Sequence, residues 1–339
     1  MRTFRSAVLA SLALLAASVS TAYGQSCTAG EDDSCCAVDV DNCCGDCDFG
    51  PTWEWHAGVL YMRRENSSDN LLVERAAGNV SLINASDFDF NYEPGIDLGA
   101  IYRYDCDRAV EVRYLWLDDM GAQADFTQAA SNVTIFTTPT TNWNGAETGE
   151  FDYATEVQSL EVNLLRNPCG NNWYWGAGFR YLNLEEEFAG RIEGAGGAVG
   201  SDIAWETEND LFGFQLALKG SRQLGCSRFR INSFAKAGLY WADQDADFVV
   251  SGAGFGSTAT DSNDQAAFVG EAGIDLVYEV RCNVTLKAGY QLLFVDGAAL
   301  ASEQVSTTDQ FNTTGVRPMT INQGSVLFHG LNFGLVITR

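Results

Sequence analysis

The hairpin that decides the fold reads FVGEAGIDLVYEV (268–280), RCN (281–283) and VTLKAGYQLLF (284–294). Apolar side chains occupy every second position of both arms, and the positions between them carry glycines and charges such as Glu271 and Lys287. A period of two is typical of β-strands, and the short polar connection predicts a tight turn. The stretch therefore predicts an antiparallel hairpin with one apolar face and one charged face.

Similar tight, polar connections surround Cys106, Cys169 and Cys226, at regular intervals along the chain before Cys282. Working outward from these turns predicts ten strands, at 53–64, 92–104, 109–119, 151–165, 172–188, 205–224, 228–248, 265–280, 284–297 and 324–338. The other connections are long, near 65–91, 120–150, 189–204, 249–264 and 298–323, and leave room for a twelve-stranded arrangement. No segment has a convincing helical period. Alternating short and long connections between an even number of strands are typical of outer-membrane barrels.

The two faces of these strands differ sharply in charge. The apolar face, exemplified by Phe214, Leu239 and Ile274, contains no Asp, Glu, Lys or Arg. A Lys or Arg facing mid-bilayer lipid would cost about 2–4 kcal/mol, so a lipid-facing surface requires this absence. The opposite face carries fourteen charges, which we predict to line the lumen: Glu54, Asp97, Arg103, Glu111, Arg113, Glu161, Arg180, Lys219, Arg230, Lys236, Glu271, Asp275, Glu279 and Lys287.

A soluble β-sandwich would also alternate, but it would bury the apolar face and expose the charged one. Three features favour the membrane instead. Tyr and Trp cluster at strand ends, as girdle residues do; the connections are long at one end only; and the strands exceed the usual five or six residues of soluble sheets. We therefore predict an all-β fold, a transmembrane antiparallel β-barrel of about ten strands with a Cys-rich N-terminal tail.

Composition excludes several classes of function. The chain has 339 residues, with 45 Asp+Glu against 20 Lys+Arg and a formal net charge of −25. Such an acidic surface repels phosphate backbones, so no nucleic-acid partner is expected. Only two histidines are present, His56 and His329, and we place them on opposite faces of the strands. No Ser/His/Asp constellation or G-x-S-x-G motif assembles, so we expect no catalytic residues and no enzyme.

The chain divides into three predicted parts. Residues 1–24 combine early arginines, an apolar run and small residues before the expected cleavage point, which is typical of a secretory signal peptide. Residues 25–50 form an acidic, Cys-rich tail on the periplasmic side, and residues 51–339 form the barrel. We accordingly expect export to the outer membrane, with lipid as the surrounding partner.

The ten cysteines fall into a tail group and a turn group. In an oxidising compartment they are disulfide candidates: Cys27, Cys35, Cys36, Cys43, Cys44 and Cys47 in the tail, and Cys106, Cys169, Cys226 and Cys282 in the turns. Neighbouring turns stand too far apart to pair readily with each other. Tail cysteines either bridge to turn cysteines as a periplasmic plug or cross-link neighbouring envelope proteins. A zinc site at Cys44-Gly-Asp-Cys47 is disfavoured because it lacks histidine and a partner pair.

Four stretches carry a resemblance to known proteins: YEPGIDLG (92–99), WGAGFRYLNLEE (175–186), TENDLFGFQ (207–215) and AGYQLLFVDGAAL (288–300). They resemble the β-barrel porin families of planctomycetes and are more distantly similar to Legionella-type major outer membrane protein porins. The resemblance spans about residues 53–338, leaves out the tail and implies a pore-forming outer-membrane barrel.

The function predicted from these patterns is a narrow porin-like channel for small solutes, since ten strands enclose little space. Acids near the external strand ends predict a mild cation preference, because acidic rings favour cations: Asp118, Asp119, Glu185, Glu186, Glu187, Asp243, Asp245, Asp247 and Asp296. No cofactor or metal is expected, and Ca²⁺ at Asp243, Asp245 and Asp247 is only a weak alternative, since the EF-hand pattern is incomplete. The competing hypothesis is a structural envelope protein, with the barrel as anchor and the tail as cross-linker.

Overall fold

The computed structural model of the protein describes residues 52–66, 70–105, 107–135, 137, 141–167, 172–194, 198–224, 227–252, 255–281, 283–309 and 314–339. The predicted signal peptide, the Cys-rich tail and all ten cysteines lie outside the described residues. Among the described residues, no helix is long and apolar enough to cross a membrane.

Ten antiparallel strands close into a barrel. They are β1 (Thr52–Asn66), β4 (Glu93–Asp105), β5 (Arg108–Ile135), β6 (Thr141–Arg166), β7 (Trp173–Gly194), β8 (Ala198–Gln223), β9 (Phe229–Gly252), β10 (Phe255–Arg281), β11 (Val284–Ala299) and β13 (Gln323–Thr338). Each pairs with its chain neighbours, and β1 pairs with β13 to close the ring. The predicted ten-stranded barrel is confirmed, and the twelve-stranded alternative is wrong.

Several short elements lie at the external end of this barrel, where the long connections are. Strands β2 (Leu71–Arg75) and β3 (Val80–Asn84) form a hairpin that pairs with the end of β5, and β12 (Gly315–Val316) pairs with β10. One 3₁₀ turn (Ala85–Asp87) and one short helix, α1 (Ala301–Gln304), are the helical elements among the described residues. These strands extend the sheet at the mouth of the barrel and stay outside the closed ring of ten.

The strands on one side are longer than the sequence predicted. Strand β5 has 28 residues and β10 has 27, whereas β4 has 13 and β11 has 16. The long loops expected at 120–150, 189–204 and 249–264 are mostly strand, because alternation continues there with polar instead of apolar residues facing outward. Strands β5 to β10 therefore form a tall wall, and the loops of the shorter side lie against it.

An apolar belt surrounds the lower part of the barrel. Phe214, Leu239 and Leu216 are more than two-thirds exposed on its outer surface, at 78%, 73% and 70%. Aromatic side chains border the belt at both levels, with Trp53 stacked on Trp55 at the periplasmic end and Tyr181 against Phe212 at the external end. An apolar band between aromatic girdles is the surface that a bilayer requires.

Polarity inverts above the external girdle. Along β9, Leu239 and Trp241 face outward in the belt, but Asp243, Asp245 and Asp247 take the outward positions above it. Inward positions change in the opposite sense, from charges below to Trp205, Phe248 and other buried apolar residues above. The pairing of β8 with β9 continues through this level without a bulge. We call the part within the belt the spanning zone and the part above it the external zone.

Candidate functional site: the barrel lumen

Six charged side chains meet inside the spanning zone. We call them the ion-pair layer: Asp97, Arg113, Glu161, Arg180, Lys236 and Glu271. They come from six strands, and each takes an inward position because its strand alternates strictly. Their side chains are at most 7% exposed. The layer therefore closes the lumen at this level.

Arg113 holds the layer together across the barrel. Its Nε donates to Asp97 Oδ1 at 2.7 Å, and its Nη1 donates to Glu271 on the opposite wall. Arg180 Nη1 donates to the second oxygen of Glu271 at 2.7 Å, and Lys236 donates to Glu161. Buried charges are tolerated when they are paired and hydrogen-bonded in this way.

The remaining interior charges lie nearer the periplasmic end and are more accessible to water. Arg103 donates to Glu54 at 3.1 Å, Lys219 donates to Glu111, and Arg230 lies 3.3 Å from Glu279. The side chains of Arg103 and Arg230 are both 34% exposed. A charged vestibule therefore reaches from the periplasmic end to the ion-pair layer. All fourteen residues predicted to line the lumen lie on the inner side of the wall, buried or half-buried.

Two glycines allow a further ion pair, between Lys287 and Asp97, to form along the inner wall. Lys287, Gly334, Gly58 and Asp97 occupy one row on four adjacent strands. A Cβ at Gly334 would lie 2.7 Å from the Lys287 Cε, so the lysine lies flat over the glycine. Its Nζ reaches Asp97 at 3.4 Å. Any larger residue at Gly334 would displace this side chain.

A loop segment fills the external mouth. We call residues 298–309, which begin with the last two residues of β11 and include α1, the cap. All four residues of α1 are buried, and the cap crosses the lumen to reach the inner faces of β7 and β8. There Trp205 Nε1 donates to Thr308 Oγ1 at 2.9 Å, and Asn209 Nδ2 donates to the Ala299 carbonyl at 2.9 Å. Nothing in the sequence pattern pointed to this segment.

The cap is fastened to the wall at Glu186. This carboxylate accepts hydrogen bonds from the Ala301 N–H at 3.0 Å, the Tyr153 hydroxyl at 2.6 Å and Arg64 Nη2 at 2.7 Å. The Arg64 guanidinium also stacks over Tyr153 and over Phe90, a residue of the opposite loop. Burial raises the pKa of Tyr153, as does the Glu186 charge, so the phenol stays a donor. We call Arg64, Tyr153 and Glu186 the latch.

The predicted mouth acids do not form a ring around the lumen. Glu187, Asp243, Asp245, Asp247 and Asp296 are exposed on the outer surface, and Glu185 is half-buried there. Asp118 and Asp119 are both exposed at a bulge of β5, where Asp119 has a φ of 50°. The exception is Glu186, which takes an inward position because it falls between two outward-facing neighbours. Apart from Asp296 on β11 and the inward-facing Glu186, these acids therefore lie on the outside of the tall wall.

Crowding on this acidic wall perturbs its carboxyl groups. In two successive rows of the sheet, Glu187, Glu206 and Asp247 are cross-strand neighbours, as are Glu208 and Asp245. Partial burial, together with Glu187 and Asp247, raises the pKa of Glu206. Partial burial, together with Asp243 and Asp247, raises the pKa of Asp245. Like charges directly opposite each other disfavour the ionised forms.

The two histidines lie on opposite faces, as the strand register requires. His56 faces inward and bonds Asp97 at 3.1 Å. His329 faces outward at the external girdle, between the Tyr290 hydroxyl at 2.5 Å and Glu65 at 3.1 Å. Among the described residues no group of three or more His, Cys, Asp or Glu side chains could hold a metal ion, the weak Ca²⁺ candidate on β9 included.

A closed antiparallel barrel with an apolar belt, two aromatic girdles and a charged interior defines an outer-membrane β-barrel protein. A family model described as "Putative beta barrel porin-7 (BBP7)" matches residues 91–338. The chain therefore belongs to this family of barrel porins, and the resemblance read from its motifs is confirmed at that level. No curated protein matches the chain.

Solved structures with a similar course of the chain are also outer-membrane barrels. The outer membrane protease OmpT from Escherichia coli has a TM-score of 0.46 and 11% identity, covering 85% of this chain and 96% of its own. The P. putida toluene transporter TodX has a TM-score of 0.33 and 9% identity, covering 88% and 92%. A Pseudomonas aeruginosa FadL homologue has a TM-score of 0.31 and 10% identity, covering 85% and 90%. Likenesses this distant carry no argument about activity.

Proposed function

We propose that this protein is a narrow porin-like channel for small solutes, with a mild cation preference, that is kept closed by its cap. The observation that carries the proposal is the nature of the external closure. The mouth is filled by a loop segment, which is held by hydrogen bonds at the latch, Trp205 and Asn209 and by the packing of Leu300 and Val305 in the apolar interior. A loop can leave the lumen while the hydrogen-bonded wall stays intact.

The proposed path has two parts. The charged vestibule gives hydrated solutes access up to the ion-pair layer, whose side chains would have to exchange partners as a solute passes. The buried apolar residues above would oppose passage by excluding water until the cap moves. The outer acidic wall would concentrate cations near the mouth, although its field is screened within about 8–10 Å at physiological salt.

Planar-bilayer conductance of the purified, refolded protein tests the proposal. The Glu186→Ala variant removes the acceptor that ties Arg64, Tyr153 and the cap together, so we expect more frequent openings than in the wild type. Glu187→Ala is the matched control, because it removes the same charge at the next residue, on the outer wall. A potassium chloride gradient across the open channel should give a reversal potential favouring K⁺.

Silence from both variants, despite insertion demonstrated by a heat-modifiable gel shift, would contradict a channel. Should Glu186→Ala fail to insert, Thr308→Val provides a milder version of the test, since it removes only the hydroxyl that bonds Trp205. Equal activity of Glu186→Ala and Glu187→Ala would also contradict the role given to the cap.

A structural envelope role is the second candidate, and the filled lumen favours it. The ion-pair layer and the cap leave a barrel that needs no opening to act as an anchor. The Cys-rich tail would then cross-link neighbouring proteins through disulfides. Non-reducing gels of whole envelopes should show a ladder in that case and a single band if the cysteines pair within one chain. Alkylation of all ten thiols in the native protein would contradict both forms of pairing.

A further inference from the structure

We infer that Asp275 and Asn332 form a binding site for a monovalent metal cation, Na⁺ or K⁺, on the inner wall of the spanning zone. The site does not depend on conduction, because a cation can occupy it in a closed barrel. The test of the site measures thermal stability. The cation site can therefore be disproved while the channel proposal holds, and the channel proposal can be disproved while the cation site holds.

Asp275 is the one interior acid of the described spanning zone that has no basic partner. The other six are paired: Glu54 with Arg103, Asp97 with Arg113 and Lys287, Glu111 with Lys219, Glu161 with Lys236, Glu271 with Arg113 and Arg180, and Glu279 with Arg230. Asp275 is only 8% exposed, and its Oδ1 accepts no hydrogen bond among the described residues. A buried carboxylate without a counter-charge is unfavourable unless another cation neutralises it.

The second residue of the site is Asn332, whose side-chain oxygen also lacks a hydrogen-bond partner among the described residues. Asp275, Gly289 and Asn332 occupy one row on β10, β11 and β13. Asn332 is 2% exposed, and its Oδ1 also has no hydrogen-bond partner in the described part of the chain. Asp275 Oδ1 lies 2.1 Å from the position a Cβ would take at Gly289, so the carboxylate leans over the glycine. Two orphan oxygen acceptors therefore share one stretch of wall.

The nearest candidate for a basic partner is directed elsewhere. Lys287 lies two residues before Gly289 on β11, within diagonal reach of Asp275. It extends in the opposite direction, over Gly334, to reach Asp97 at 3.4 Å. The glycine row that admits this lysine thus leaves Asp275 without a counter-charge.

The donor set selects the class of cation. Carboxylate and amide oxygens are hard ligands that suit alkali and alkaline-earth ions, and water completes their coordination. Neither residue supplies the imidazole nitrogen or the sulfur that transition metals prefer. Since Asp275 carries a single charge and contacts no basic side chain in the described part of the chain, a monovalent ion supplies the smallest charge that can pair with it locally. The half-exposed vestibule gives hydrated ions a route to this level from the periplasmic end.

Thermal unfolding of the refolded protein in detergent tests the site. We compare sodium chloride with N-methyl-D-glucamine chloride at equal ionic strength, because the organic cation is too large for the site. The wild type should melt about 2 °C or more higher in sodium chloride, since an ion that binds only the folded state stabilises it. The Asp275→Asn variant should melt at the same temperature in both salts.

Asp264→Asn is the matched control, because it removes an exposed acid from the outer wall on the same strand. It should keep the difference between the salts, as the acidic wall responds to ionic strength with either cation. If Asp275→Asn does not fold, Asn332→Asp serves instead, and its added carboxylate should enlarge the difference. No difference in the wild type, or a difference that survives in Asp275→Asn, would overturn the proposal. If Lys287 turns to pair with Asp275 instead, the Asp275→Asn variant should lose the same stability relative to the wild type in both salts. That result would also overturn the proposal.

Discussion

The spanning zone and the external zone are built from the same strands but present opposite surfaces. In the spanning zone, Leu239 faces lipid and Lys236 faces the lumen; in the external zone, Asp245 faces water and Phe248 faces the interior. All four belong to β9, whose pairing runs through both zones without a bulge. The backbone cannot distinguish the zones, so the difference lies wholly in which alternate positions are polar.

The same sheet is in contact with lipid in the spanning zone and with water in the external zone. Lipid outside requires an apolar outer face, and the charges displaced inward must then pair with one another. Water outside permits an acidic outer face, and the interior can be an ordinary apolar core. The level at which polarity inverts, near Tyr181, Phe212 and Trp241, marks the external edge of the membrane. Three experiments test this contrast.

The largest effect is expected inside the spanning zone, from Arg113→Met. This change leaves Asp97 without its closest partner and removes one partner of Glu271, and breaking a buried pair costs about 3–5 kcal/mol. Urea unfolding of the protein from lipid vesicles, followed by tryptophan fluorescence, measures the loss. Arg191→Met is the control on the external wall, where Arg191 pairs with Glu193 and Asp202 but is exposed. A midpoint for Arg113→Met equal to that of Arg191→Met would contradict the role of the ion-pair layer.

A smaller effect is expected from placing one charge on the outer face of β9 at two levels. Leu239→Lys puts a cation against lipid and should cost about 2–4 kcal/mol. Asp245→Lys puts the same side chain among carboxylates in water and should be neutral or stabilising, because it relieves repulsion. The two urea midpoints in vesicles measure the difference. Equal losses at both positions would show that the membrane edge does not lie between them.

The smallest effect is expected from pH, and only in the external zone. The pKa values of Glu206 and Asp245 are raised above their ordinary 4.5 and 3.8, so the folded wall favours their protonated forms. Stability should therefore rise as pH falls through the raised pKa values and should level off below the ordinary values of 4.5 and 3.8. It is lower at pH 7, where both groups are ionised. Urea midpoints at pH 7, 5 and 4 measure the slope. The Glu206→Gln/Asp245→Asn double variant should flatten it, and an unchanged slope would assign the effect to other groups.

Sequence patterns predicted the spanning zone better than the external zone. The centre of each strand is predicted because apolar and polar residues alternate there. Whether a charged residue faces the lumen or the outside follows from its odd or even position along the strand. The sequence predicts loops at the external ends of β5 and β10, because outward positions there are mostly small or uncharged polar residues, such as Gln123, Thr258 and Thr260, and lack the apolar period that identifies a strand. Glu186 was grouped with its neighbours as a mouth acid, although its parity already placed it inside.

Periodicity and local turns were enough to predict a barrel of about ten strands, the two faces of each strand and the family. The closure of the ring at ten strands, and the pairing of charges such as Arg113 and Glu271, which lie 158 residues apart on opposite walls, came only from the folded structure. The folded structure also decided that the cap enters the mouth and that Asp275 has no partner among the described residues. Such contacts depend on how the closed ring brings distant strands together, and a period of two carries no information about what lies across the lumen.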